Sequence, residues 1–243
     1  MNYSYWEYKE WFTGNDFVII GSGIVGLNCA INLRERFPTS KIIILEKGLL
    51  PQGASTKNAG FACFGSTSEL LSDLKTHSEQ EVFQLVKKRW EGLQLLRNLL
   101  GDKNIDYQHH YGYELFSDEA FFEECEKKTL ELNQLLFPLF KNAVFSSVHN
   151  KFKFKKTVPT YLVNQFDGQI DTGKMVSQLL KIAQQKGIII LNNTTVQGFS
   201  EDTNKVKIET DQGVFTASKL FFATNGFSKE LLQENVAPAR AQV

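Results

Sequence analysis

The feature that most constrains this chain is a glycine-rich turn at residues 21–26, Gly-Ser-Gly-Ile-Val-Gly, between an apolar run and a helical pattern. Residues 17–20 are β-branched at three of four positions, which predicts a strand buried on both faces of a sheet. The helical pattern ends at Pro38, and residues 41–46 predict a second buried strand. Strand, turn, helix and strand within about 30 residues form a βαβ unit, whose parallel strands are joined by a right-handed crossover.

The position of the glycines in this unit predicts a dinucleotide-binding site. Gly21 allows the tight turn, Gly23 lets the backbone approach a pyrophosphate, and Gly26 lets the helix pack closely on the strand. The helix N-terminus offers free N–H groups and a partial positive charge to the phosphates. Glu46 lies 20 residues beyond Gly26, where its carboxylate can accept the ribose hydroxyls of an adenosine and would repel a 2′-phosphate. The turn alone does not separate FAD from NAD, so both remain open on these residues.

The middle of the chain, residues 67–167, differs in pattern from the segments on either side of it. An amphipathic helix is predicted at residues 79–100, and a second helix begins after Ser117 or Asp118, either of which can cap it. Alternating Lys and Phe at residues 151–156 predict a strand with one wet face. We interpret this region as an insertion into the nucleotide-binding domain.

The segment after the insertion returns to the pattern of the first βαβ unit. A helix begins at Asp171, and residues 188–191 predict another buried strand. A turn at residues 211–213 predicts a hairpin whose second strand ends at Ala217, separate from a last strand at residues 219–223. The chain is therefore expected to have an α/β fold, with a Rossmann-like domain of parallel sheet, helices and a β-hairpin or meander.

Five short segments resemble the D-amino-acid oxidase, glycine oxidase and sarcosine oxidase family of flavoenzymes. Residues 53–60, Gly-Ala-Ser-Thr-Lys-Asn-Ala-Gly, resemble the loop that follows the first βαβ unit in that family. Residues 168–171 resemble the return into the FAD domain. Residues 195–196 resemble the strand that meets the adenine, and residues 223–226 the small-residue turn over the dinucleotide. Residues 236–243 resemble the family's Pro-x-Arg-Gly-Gln segment, with alanine in place of the glycine.

The resemblance implies an order of domains along the chain. Residues 1–66 and 168–233 would form the FAD-binding domain, and residues 67–167 would form a partial α+β substrate domain that interrupts it. Residues 234–243 would begin a return into the substrate domain. Because the family is substantially longer than this chain, the resemblance also implies a truncated chain or a fragment that lacks the rest of that domain.

The resemblance further implies that FAD is held in extended form. The turn would contact the pyrophosphate, Glu46 the ribose and Lys47 the adenine side. Residues 55–60, which we call the small-residue loop, would lie along the pyrophosphate and under the flavin. The residues implied to bind the cofactor are Gly21, Gly23, Ile24, Val25, Gly26, Glu46, Lys47, Ser55, Asn58, Ala59, Gly60, Val196, Ala223, Thr224, Asn225 and Gly226. The sequence identifies no catalytic acid or base and no metal ligands.

Family resemblance also implies an activity. Members oxidise the carbon–nitrogen bond of an amino acid or secondary amine by hydride transfer to the flavin, and the imine is then hydrolysed. A small amine or amino acid is therefore the expected partner. Lys plus Arg and Asp plus Glu number 27 each, which argues against nucleic acid. No apolar run suits a transmembrane segment, no secretory signal is present and cysteines number three, so we expect a cytoplasmic protein.

Several alternatives remain open from sequence. The chain could be a non-catalytic FAD-binding subunit, or a truncated remnant that needs a partner for its chemistry. An NAD-linked dehydrogenase would satisfy the βαβ unit alone, although the segments at residues 55–60 and 223–226 argue against it. The flavin domain of a tRNA-modifying enzyme is disfavoured by the zero net charge. A homo-oligomer, or a missing C-terminal part that completes the site, is also left open.

Overall fold

The computed structural model describes residues 3–233, which form two compact units. The first contains the described residues up to Ala59 and from Thr172 onward, and the second is Gly60–Asp171. These limits differ by a few residues from the predicted domain limits, because two segments near the predicted boundaries pair with each other inside the second unit. The segment at residues 234–243, with its predicted return and its resemblance to the Pro-x-Arg-Gly-Gln sequence, lies outside the described residues.

Eleven strands and seven α-helices are found among the described residues. The strands are β1 (Asn15–Ile20), β2 (Ile42–Leu45), β3 (Phe61–Ala62), β4 (Gly112–Glu114), β5 (Phe145–His149), β6 (Thr160–Asn164), β7 (Gly168–Gln169), β8 (Ile189–Leu191), β9 (Val196–Asp202), β10 (Lys205–Thr210) and β11 (Gly213–Phe222). The helices are α1 (Tyr5–Glu7), α2 (Ile24–Arg36), α3 (Thr67–Leu74), α4 (Glu79–Leu100), α5 (Glu119–Phe140), α6 (Thr172–Gln185) and α7 (Ser228–Leu232). A π-helical turn, Tyr8–Phe12, follows α1.

A six-stranded sheet forms the centre of the first unit, in the order β8-β2-β1-β11-β10-β9. The four strands β8, β2, β1 and β11 are parallel to one another, whereas β10 pairs antiparallel with both β11 and β9. All four residues of β2 and five of six in β1 are buried, as a strand covered on both faces requires. The predicted α/β fold, with a parallel sheet, helices and a meander, is confirmed.

The edge of the parallel layer differs from the sequence prediction. The strands predicted to end at Ala217 and to begin at residue 219 are one continuous strand, β11. Its first half pairs with β10 and its second half pairs with β1, and Ala217 is in register with both Val206 and Asn15. The prediction of two strands was wrong because a strand that changes partners needs no turn between its halves.

The second unit is an α+β assembly with a three-stranded antiparallel sheet, in the order β4-β6-β5, and a two-stranded sheet of β3 and β7. Helix α4 has the predicted bounds and ends at Gly101, whose φ of 80° suits glycine. Asp118 caps α5 by accepting a hydrogen bond from the N–H of Phe121. No helix within residues 3–233 has the length and apolar character needed to cross a membrane.

The strand predicted at residues 151–156 is a loop between β5 and β6. Lys153 and Lys156 have φ values of 59° and 61°, in the left-handed region, which an extended strand cannot contain. Asn150 closes the loop: its N–H donates to the Pro159 carbonyl at 2.8 Å, and its side-chain amide donates to the Phe154 carbonyl at 3.0 Å. Alternation of Lys and Phe was therefore a misleading strand signal.

Candidate dinucleotide-binding site

The glycine turn joins the end of β1 to the start of α2, where backbone atoms approach each other closely. Gly21 has a φ of 99°, and a Cβ placed on it would lie 2.7 Å from the carbonyl oxygen of Ala223. A Cβ on Gly26 would overlap the carbonyl oxygen of Gly21. Both contacts involve backbone atoms that cannot rotate away, so packing alone requires these two glycines.

Gly23 occupies a different environment from the other two glycines. Its φ of −69° and ψ of −179° are open to any residue, and the nearest atom to an added Cβ would be the Ser55 Oγ at 3.0 Å. Gly23 is the N-cap of α2 and supplies no side-chain cap. The N–H of Ile24 donates to Ser55 Oγ at 2.9 Å, while those of Val25 and Gly26 have no intrahelical acceptor. This helix end therefore presents N–H groups to an anion.

Glu46 is a buried carboxylate, 7% exposed, directly after β2. Its Oε2 accepts hydrogen bonds from the N–H and hydroxyl of Ser22, at 2.9 and 2.7 Å. Its Oε1 accepts one from the N–H of Gly48 at 2.9 Å. A carboxylate has about four acceptor positions, so one on Oε1 is left for a ribose hydroxyl. The sequence prediction missed Ser22, whose place inside the turn was the available signal.

The small-residue loop contacts the turn through Ser55, the acceptor for the first N–H of α2. Asn58 stabilises the loop by donating to two backbone carbonyls three and four residues before it. Ala59 is the last residue of this part of the first unit, and Gly60, with a φ of 76°, is the first residue of the second. The carbonyl of Gly60 accepts from the N–H of Ile170 at 2.8 Å. The placement of this loop beneath a flavin stays a prediction.

Residues 223–226, the second segment predicted to contact the dinucleotide, begin beside the glycine turn. Ala223 donates its N–H to the Ile20 carbonyl at 2.9 Å, which brings its own carbonyl against the turn. The hydroxyl of Thr224 is buried and has no hydrogen-bond partner among the described residues. Asn225 and Gly226 follow in a short 3-10 helix. A buried hydroxyl without a partner beside a helix N-terminus suits a ligand that supplies the missing bond.

Two predicted residues are less directly connected to the turn. The Lys47 ammonium lies 4.4 Å from the centroid of the Phe227 ring, a cation–π contact. Val196 is buried in the core of the first unit. Two residues before it, Thr194 donates its N–H to the backbone carbonyl of Glu46 at 2.9 Å, which joins the segment before β9 to the backbone after β2. Contacts of Lys47 and Val196 with an adenine remain predictions.

These residues fit a dinucleotide on three independent grounds. The N-terminus of α2 has no side-chain cap from Gly23, Glu46 has an unused acceptor position, and the Thr224 hydroxyl lacks a partner among the described residues. A sequence model of one family, described as FAD dependent oxidoreductase (DAO), matches residues 16–243. The chain belongs to the DAO family. Because DAO proteins depend on FAD, the family assignment selects FAD over NAD as the cofactor of this chain.

Solved DAO-type structures share the fold. Glycine oxidase from Geobacillus kaustophilus superposes with a TM-score of 0.67 at 19% identity, over 90% of this chain and 57% of that one. L-amino acid deaminase from Proteus vulgaris gives a TM-score of 0.68 at 19% identity, over 90% of this chain and 49% of that one. NikD, an unusual amino acid oxidase essential for nikkomycin biosynthesis, gives a TM-score of 0.67 at 19% identity, over 91% of this chain and 54% of that one. The chain thus spans about half the length of these structures.

A curated relative extends the similarity to sequence. The bifunctional protein ThiO/ThiG of Synechocystis sp. is 27% identical over 252 residues, which cover 95% of this chain and 33% of the relative. The chain therefore corresponds to about a third of that two-function protein.

Replacing Glu46 with alanine is expected to weaken FAD binding by about 1–3 kcal/mol, the scale of hydrogen bonds lost to a charged group. Ser22→Ala is the matched control, because it removes one donor to Oε2 and leaves the carboxylate in place. We expect the control to change the affinity by less than about 1 kcal/mol. Calorimetric titration with FAD measures both variants. Equal affinity in wild type and Glu46→Ala would mean that this carboxylate does not bind the ribose.

Proposed function

We propose that this chain provides the FAD-binding part of an oxidoreductase that oxidises the carbon–nitrogen bond of a small amino acid or amine. The observation that carries the proposal is the glycine turn of a DAO-family chain, with its open helix N-terminus and its unused carboxylate position. When bound, FAD supplies the acceptor for a hydride from the substrate carbon, and the resulting imine is hydrolysed by water.

The chain's own residues bind and orient the cofactor in this proposal. The first-turn N–H groups of Val25 and Gly26 donate to the pyrophosphate, in the field of the α2 dipole. Glu46 accepts a ribose hydroxyl through Oε1, and Ser22 keeps the carboxylate in position. The Thr224 hydroxyl gains its hydrogen-bond partner from the cofactor. None of these groups exchanges a proton with a substrate, so they act by positioning.

The proposed substrate class is supported by the names of the structural neighbours. Glycine oxidase, NikD as an amino acid oxidase and L-amino acid deaminase all act on amino acids by name. Each of these structures is 19% identical in sequence to this chain, a level that supports a shared fold only. The amino-acid substrate is therefore a proposal for this protein.

An absorbance spectrum of the purified chain tests the cofactor first. We expect flavin bands after FAD is added and the excess removed, and release of FAD on denaturation, with NAD as the matched control ligand. Amino acids and secondary amines are then screened for reduction of a dye. A chain that retains NAD and not FAD would contradict the cofactor assignment. A chain that holds FAD and reduces no dye with any amine would instead support a non-catalytic FAD-binding subunit.

A further inference from the structure

The loop between β5 and β6 carries an unusual combination of exposed side chains. We call residues 151–156, Lys-Phe-Lys-Phe-Lys-Lys, the Lys/Phe loop. All six residues are exposed, and Phe152 and Phe154 keep 47% and 54% of their surface open to solvent. The two rings lie next to each other, with centroids 6.2 Å apart, so they form one continuous apolar patch, and exposed apolar patches can mark interaction sites.

The positive charge of the Lys/Phe loop is not balanced locally. Residues 142–166 contain no Asp or Glu, although the whole chain has equal numbers of acidic and basic residues. Within residues 3–233, no ion pair is made by Lys153, Lys155 or Lys156. The loop is therefore a local cationic surface on a neutral chain.

Two carboxylates on elements of the second unit accept hydrogen bonds from serine hydroxyls. Glu114, on β4, accepts hydrogen bonds from the hydroxyls of Ser66 and Ser68. Glu126, on α5, accepts one from the hydroxyl of Ser147 at 2.6 Å. Neither acid forms an ion pair with Lys153, Lys155 or Lys156 within residues 3–233.

The loop is also held in shape before any partner arrives. The Lys151 ammonium donates to the Tyr113 hydroxyl at 2.5 Å and lies 4.6 Å from that ring's centroid. Phe152 stacks on Tyr161, with centroids 6.0 Å apart and an interplanar angle of 21°. Asn150 closes the base of the loop through its two hydrogen bonds. Part of the entropic cost of ordering the loop is therefore met by these contacts.

We propose that the Lys/Phe loop is a docking surface for anionic phospholipid headgroups at a membrane surface. Its lysines match the negative charge of such headgroups, and its exposed phenylalanines can enter the boundary between headgroups and acyl chains. A charge and an apolar insertion together are the two signals that stable peripheral binding requires. Single-stranded nucleic acid fits less well, because stacking on Tyr161 already occupies one face of Phe152.

Sedimentation with lipid vesicles tests the proposal on the full chain. We expect the protein to sediment with phosphatidylcholine vesicles that contain about one-third phosphatidylserine, and to stay in solution with phosphatidylcholine alone. Replacing Lys153, Lys155 and Lys156 together with glutamine should weaken the partitioning by at least about tenfold, since each lysine near such a surface contributes about fivefold. Adding Phe154→Ser to the triple glutamine variant should weaken the partitioning further, because the apolar insertion is lost as well.

A control with the same change in net charge separates the loop from the overall charge. Lys87, Lys127 and Lys128 lie on α4 and α5, and each pairs with a glutamate on its own helix. Their triple glutamine variant should bind vesicles as the wild type does, with thermal unfolding confirming that both triple variants are folded. Equal binding by the loop variant and the control would overturn the proposal. Preference for a single-stranded oligonucleotide over the anionic vesicles, with loss in the loop variant, would overturn it in favour of nucleic acid.

Discussion

A Gly23→Leu variant is expected to fold normally and to bind FAD about 1000-fold more weakly than the wild type. Gly23 has ordinary backbone angles, and only the movable side chain of Ser55 lies near an added Cβ. Folding should therefore cost about 1 kcal/mol or less, the scale of a poorer N-cap. The leucine side chain would fill the proposed pyrophosphate position at the N-terminus of α2 and would cover its N–H groups.

Gly26→Leu is the matched comparison, with the same new side chain three residues further along. There the Cβ meets the backbone oxygen of Gly21, so we expect the variant to be strongly destabilised or unfolded. Circular dichroism and urea unfolding report the fold, and a fluorescence titration with FAD reports binding. A folded Gly23→Leu protein with wild-type FAD affinity would mean that the pyrophosphate does not lie at this turn.

Asp167→Asn is expected to stabilise the protein by up to about 4 kcal/mol above neutral pH. Asp167 is 8% exposed, and its Oδ1 is buried without a hydrogen-bond partner among the described residues. Burial raises the pKa of this carboxyl to about 7, and the negative charge of Glu69 adds to the rise, while a hydrogen bond from the Phe64 backbone opposes it. The folded protein therefore prefers the neutral acid, which asparagine imitates.

Because the pKa of Asp167 is raised in the folded protein, the free energy of unfolding should fall as the pH rises. The contribution of Asp167 to folding is fully present below its unfolded pKa of about 3.8 and is lost as the pH rises through about 7. Wild type and Asp167→Asn should thus have similar urea midpoints at about pH 4. At about pH 8 the midpoint of Asp167→Asn should be the higher. Asp102 is the opposite case, because its hydrogen bond from Arg97 lowers its pKa, and Asp102→Asn should destabilise at the higher pH. An Asp167→Asn protein with unchanged pH dependence would contradict this account.

Long periodic segments were the part of the fold that the sequence predicted well. Helix α4 has the predicted bounds because 22 residues with one apolar face end at a glycine that the left-handed region favours. The βαβ unit followed from buried strands on both sides of the turn. Helix α3 was missed, although the capping box of Ser66 and Glu69 marks its start, because eight residues make only about two turns.

Interactions between distant residues were the part that the sequence could not supply. Glu46 was chosen for its place after the second strand, but the three donors that occupy its carboxylate depend on how Ser22 and Gly48 fold back onto it. The pKa of Asp167 reflects burial, which no local pattern predicts. The cofactor contacts of the small-residue loop stay predictions, because they depend on where a bound FAD lies.

The pairing of β1 with β11 has a consequence for the order in which the protein folds during synthesis. Asn15 donates a side-chain hydrogen bond to the carbonyl of Thr216, 201 positions later. At about 5–20 residues per second, a ribosome needs roughly 10–40 s to produce that partner. The unit Gly60–Asp171 is contiguous and pairs its strands internally, so it can finish first. Until then, the edge of β1 that pairs with β11 in the folded protein is open and apolar. Such an edge is prone to aggregation, so we expect the nascent chain to bind chaperones.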